Sequence, residues 1–156
     1  MGTQAKQPFA VPEFSPQRVR LWATFARQAS RGEEMSMVSW AFLAFWWELH
    51  MVSSFARVVP NVEAGYIPDA VGWLNMLVQE TGHALWQWRE VLRQMASQEA
   101  LPAHYRDCFE DAQQQVARLS ALLPQIGAYG LMLCSQYDLL IPPDLQQAVM
   151  VEAAAS

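Results

Sequence analysis

Residues able to do chemistry are sparse in this chain of 156 residues. Glu80-x-x-His83 is the nearest thing to a metal motif, since residues three apart share a helix face. In di-iron helical bundles such a pair occurs on each of two helices, joined by a Glu from each of two others. A second pair is lacking here: His50 stands two residues after Glu48, and His104 has no Glu three residues before it. Glu80 and His83 are therefore read as solvated groups on the polar face of their helix. Glu48 and His50 point to different sides of theirs, and His50 is read as a hydrogen-bonded core histidine. Cys108 and Cys134 have no metal-ligand spacing and cannot frame a disulfide scaffold. The sequence contains no Ser/His/Asp order, nucleophile elbow, Gly-rich phosphate loop or Cys-x-x-Cys. The reading assigns no catalytic residue, no metal ligand and no cofactor, and expects a protein that is not an enzyme.

Groups suited to binding are more prominent. Nine of the ten basic residues are arginines. Arg is favoured at interfaces because its planar fork makes bidentate pairs and is weakly hydrated. Residues 1–31 carry a local charge of +4 within a chain whose net charge is −5. Arg20, Arg27 and Arg31 fall together on one helix face, opposite the apolar one. Trp86 lies on the polar side of an otherwise regular amphipathic helix, and Trp and Arg are enriched among binding hot spots. Arg20, Arg27, Arg31 and Trp86 are thus the candidate partner-binding residues. The acidic balance disfavours a polybasic nucleic-acid binder.

The elements that must position these groups are helical. The composition is 53% hydrophobic and 16% charged, which excludes whole-chain disorder. No segment alternates with period two. Residues 1–15 read as a flexible tail, because Pro8, Pro12 and Pro16 forbid a regular helix there; its aromatics have the alternative of docking on the bundle or a neighbour. Residues 16–156 read as one domain. Ser15–Pro16 opens a first helix that Gly32 ends. A second helix opens with Glu33 and Glu34 and stops at Pro60. It is apolar on all sides between Val38 and Leu49, so it is either the axis of the bundle or in part an interface. After a loop over 61–68, a third helix runs from Asp69 to about Gln98. A fourth follows Pro102 and is broken or kinked at Pro124. A short apolar helix then reaches about Leu140, and a weaker one ends the chain. The fold expected is an all-α helical bundle of four main helices plus one or two short C-terminal ones.

Met35–Val52 is the most hydrophobic stretch, but its uninterrupted apolar core, Trp40–Trp47, is short for a bilayer that needs about 20 such residues. No transmembrane segment is expected. With no secretory signal and unpaired thiols, a cytoplasmic location is expected.

The run Leu123-Pro124-Gln125-Ile126-Gly127-Ala128-Tyr129-Gly130-Leu131 resembles a Leu-Pro…Ile…Gly-Leu segment of the small helical subunits of multi-subunit CRISPR effector complexes. That resemblance implies a helical subunit of a nucleic-acid-containing complex, which stands as the alternative. The reading of the residues favours a non-enzymatic interaction protein, a small helical subunit, adaptor or regulator. Its partner is another protein chain or a second copy of itself. A metal-binding bundle enzyme built on Glu80 and His83 is the further alternative.

Overall fold

Ser15 and Pro16 start the first helix as their types dictate. The Ser15 hydroxyl accepts from the Arg18 amide at 3.4 Å, and Pro16 takes the first helical position, where a missing N–H is harmless. The computed structural model describes residues 8–29, 32–98 and 103–155. Helix α1 spans Pro16–Gln28, α2 Gly32–Phe55, α3 Val58–Glu63, α4 Ile67–Ala96, α5 Arg106–Gln136 and α6 Pro143–Ala155, with a 3₁₀ turn at Ala103–Tyr105. No strand occurs among the described residues. The fold is an all-α bundle in which α1, α2, α4 and α5 are the main helices.

Prolines act differently from the expectation at two places. Helix α2 ends at Phe55, before Pro60, and Pro60 lies in the first turn of α3, whose N–H groups have no intrahelical partner. The expected loop over 61–68 is therefore shorter, and Gly65, at φ +80°, supplies the left-handed turn before α4. Pro124 does not end a helix either: α5 runs through it to Gln136. Leu119 and Leu122 before it, and Ile126 and Leu133 after it, are all buried in one core, so tertiary packing keeps the two halves as one element. The Gln125 side chain donates to the Ala121 carbonyl at 3.1 Å at that turn.

The axis of the bundle is α4, not α2. Helices α2, α3, α5 and α6 all pack on α4, and its 30 residues bury Leu74, Leu77, Ala84, Trp88 and Val91 completely. Helix α2 packs on α1, α3 and α4 and leaves its outer side uncovered. Among the described residues, α5 is the one helix long and apolar enough to cross a membrane by length and composition. In the fold 33% of its apolar 18-residue stretch is buried, Ile126, Leu133 and Cys134 among it. Of the N-terminal segment, residues 8–15 are described, and Phe9 is buried against Phe55 and Tyr129, at 5.1 and 6.1 Å between ring centroids. This is the docking alternative for the aromatics of that segment.

A buried ionic cluster joins three helices. Arg18 of α1 makes a bidentate pair with Asp111 of α5, at 2.8 and 3.0 Å, and reaches Glu48 of α2 at 3.1 Å. The Trp22 indole donates to Asp111 at 2.8 Å, and Gln115 donates to Glu48. The guanidinium lies over the rings of Phe45 and Trp88, 4.8 and 5.3 Å from their centroids. Burial works against the Arg18 charge, but Asp111 and Glu48 more than offset it and raise its pKa.

Helix α6 approaches α5 where α5 has no side chain. A Cβ on Gly127 would meet Val149 Cγ2 at 2.7 Å, the Leu145 carbonyl oxygen at 3.0 Å and the Val149 amide nitrogen at 3.1 Å. Gly82 in α4 has nothing within 4 Å of the same position. Gly127→Ala is therefore expected to destabilise by about 1–3 kcal/mol, because backbone must move. Gly82→Ala is expected to stabilise by about 0.5–1 kcal/mol through helix propensity. Urea unfolding of the two variants checks both signs.

Candidate functional site

The outer side of α2 is set by what its inner side must do. Met37, Val38, Ala41, Ala44, Phe45, Glu48 and Met51 are buried and recur at three- and four-residue intervals. This commits one face to the core and to Arg18. The residues between them turn to solvent: Met35, Phe42, Leu43, Trp46, Leu49 and Val52 are all exposed, Trp46 by 50%. The all-round apolar helix thus divides: half of it is core, and half is an uncovered apolar face.

Aromatic rings continue this face onto α4. Trp46 contacts Trp47 and His50, at 4.8 and 4.3 Å between centroids. Trp47 stacks on His83 of α4 at 4.4 Å with the ring planes 14° apart. Trp40 meets Trp86 edge-on at 5.1 Å. Trp46, Trp47, His50 and His83 thus form one connected group of rings and Trp40 and Trp86 a second pair across the same two helices, so that four of the seven tryptophans take part. Such rings supply large contact area at low entropic cost, which is why they dominate binding hot spots.

The candidate binding residues fall in different places. Trp86 is 51% exposed on this surface. It also stands between two open grooves of about 610 and 750 Å³ that share Gly82 and Leu123. Arg20 and Arg27 are exposed on α1, and Arg27 bonds Thr24 of its own helix at 3.2 Å. Arg31 lies outside the described residues. The structure places Arg20 and Arg27 on a different helix from Trp86: α1 packs on α2 and α5, while Trp86 projects from α4. The basic residue that the sequence reading passed over is Arg18, which is spent internally on Asp111 and Glu48.

Two expectations about polar groups are corrected. Glu80 is not solvated: it is 5% exposed, because α2 packs over that side of α4. His50 is not a core residue: its side chain is 45% exposed, with Nδ1 3.9 Å from Glu80 Oε2. Glu80 Oε1 is buried without a hydrogen-bond partner. Glu80 and His83 do not converge as ligands, for His83 turns to stack on Trp47. Among the described residues no three His, Cys, Asp or Glu are grouped to hold a metal ion.

Burial raises the Glu80 pKa, and the Ser54 hydroxyl and the His50 charge lower it only in part. A carboxyl whose pKa is raised on folding binds its proton more tightly in the native state. Its contribution to stability is therefore lost as pH rises from its ordinary value of 4.5 through the raised one. Glu80→Gln is expected to melt above the wild type at neutral pH, with the gap closing as pH falls below 4.5. Thermal melts of both proteins across that range check this. Subtracting one curve from the other removes the parallel effect of Glu48, whose pKa burial also raises.

Compared with known protein families, curated proteins and solved structures, the chain matches none.

Proposed function

We propose that this protein is a non-enzymatic interaction module, a small helical subunit or adaptor that docks through the outer side of α2 and the adjoining rings of α4. The observation that carries the reading is the uncovered apolar face of α2. From Met35 to Phe55 the helix has one charged residue, Glu48, and that residue is turned inward to Arg18. Six half-exposed large side chains leave on the order of 500 Å² of apolar surface in water. A patch of that size is on the scale of the largest apolar patch of a typical monomer, about 300–600 Å², which is often functional. The buried free thiols of Cys108 and Cys134 suit a reducing compartment such as the cytoplasm.

A nucleic-acid-complex reading would rest on Arg20 and Arg27, which lie on α1 and outside the aromatic surface. The two readings separate by mutation. Isolated from its native source in assembled form, the wild-type chain is expected to bind its partner through Trp46 and Leu49. Trp46→Ala and Leu49→Ala are each expected to weaken that binding by about thirtyfold, the scale of a hot-spot residue, in titration calorimetry. Arg20→Glu with Arg27→Glu is expected to leave it within about threefold. The opposite ranking, with retention of RNA at low salt, would replace this reading by the nucleic-acid one.

A further inference from the structure

The uncovered side of α2 has a repeat that specifies its occupant. Met35, Ser39, Phe42, Trp46, Leu49 and Ser53 are all exposed. Their separations are four, three, four, three and four residues. This is the 3-4 spacing of a coiled-coil seam, which packs against another helix of the same period. Leu43 and Val52, also exposed, flank the seam on its two sides. The spacing reads the same in both directions along the helix.

We infer that α2 pairs with α2 of a second copy of this chain, antiparallel, about a two-fold axis at the level of Ala44. This rests on the docking role proposed for the same face. In that register Phe42 lies opposite Trp46, Ser39 opposite Leu49, and Met35 opposite Ser53. Each serine then faces a large apolar side chain, so small and large residues interdigitate. A parallel pair would stack serine on serine in two of its six layers. Ser39 is already satisfied, since its hydroxyl donates to the Met35 carbonyl at 3.0 Å, and covering it strands no donor.

Charge selects the same occupant. Residues 32–156 carry a net charge of −9, so two copies repel wherever these acidic parts of their surfaces meet. The seam has no charge at all, so it is where two copies can meet. At its ends the antiparallel register sets the exposed Glu33 of one copy level with residue 55 of the other, two residues from the exposed Arg57. An anionic membrane would favour Lys or Arg beside an apolar stripe, and this helix has neither between Met35 and Phe55. The area also fits. The six large side chains offer on the order of 500 Å² per copy, and the flanking serines and His50 extend this toward the ~800 Å² per partner of a standard interface.

Sedimentation equilibrium and chemical cross-linking of the full chain test this. The wild type is expected at twice its 17.7 kDa, and the variant Phe42→Glu/Leu49→Glu at the single mass with its helical circular dichroism unchanged. A variant that loses helicity is replaced by Ser39→Glu, a change at an already polar position. Orientation is read by disulfide capture, for which the native thiols are silent. Burial, with Asp111 and Asp107 adding to it, pushes the Cys108 pKa to about 12, and burial raises that of Cys134. Met35→Cys with Ser53→Cys is expected to give a linked dimer, and Ser53→Cys alone is expected to give none. Cross-linking by Ser53→Cys alone would overturn the antiparallel register. A wild-type monomer at every concentration would overturn self-pairing. If that monomer still binds its native partner through Trp46, the docking role stands without self-pairing; if it floats with neutral phosphatidylcholine vesicles and Phe42→Glu/Leu49→Glu does not, the face covers lipid instead. If neither occurs, the docking role fails too.

Discussion

The structure depends on one guanidinium withdrawn from water. Arg18 is 13% exposed at its side chain and is held by carboxylates from two other helices. A charge in that position is tolerable only while both carboxylates stay in place, since removing one partner of a buried pair costs about 3–5 kcal/mol. The cluster links α1, α2 and α5. It places α1 across α2 and α5 at one height. Through Trp22 and Gln115 it fixes the rotation of Asp111 and Glu48 as well. Phe45 and Trp88 close over the guanidinium and carry the constraint to the central helix α4.

The rotation of α2 follows from this. Turning Glu48 inward to Arg18 sets which residues of α2 face solvent, because each position is displaced about 100° from the last. Trp46 and Leu49, two before and one after, must then point away from the cluster, and Phe42 and Met35 extend the same line. The apolar outer face is thus a consequence of burying the one charge that α2 has between its first turn and its end. A helix apolar all round would also satisfy a central position, but α4 has that place. Its polar side is narrow, and α2, α5 and α6 can close on the rest.

Much of this was legible in the residues, and the failures have physical causes. The all-α type and the four main helices followed from periodicity, and the start of α1 followed from Ser15–Pro16, whereas the short α3 and the continuity of α5 did not. A break at Pro124 does not occur, because the core on both sides of it outweighs local backbone preference. Glu80 seemed solvated because its helix face is polar in sequence, yet α2 lies over part of that face. A single-helix pattern cannot report which neighbour covers which polar residue. Arg18 was missed for the same reason: one arginine among several on α1 is distinguished only by Asp111, 93 positions away. The aromatic surface was half visible, since Trp86 stood out by its misplacement, while the contact of Trp47 with His83 joins residues from separate helices.

The unusual composition of the chain acquires a physical meaning at this point. A protein with few charges and many aromatics must either bury its apolar excess or direct it. Here the core takes Trp22, Trp88 and Phe25, and of the large apolar side chains left exposed, Met35, Phe42, Leu43, Trp46, Leu49 and Val52 share one side of α2. Gathering matters because scattered apolar residues promote many weak contacts, whereas a face with one repeat selects a partner of matching repeat. The acidic surface of residues 32–156 contributes to the same selection by repulsion, since acidic faces of two copies disfavour one another. Under the proposed pairing the low charged fraction and the negative net charge are two parts of one device: the first makes a face that needs covering, and the second restricts how it can be covered.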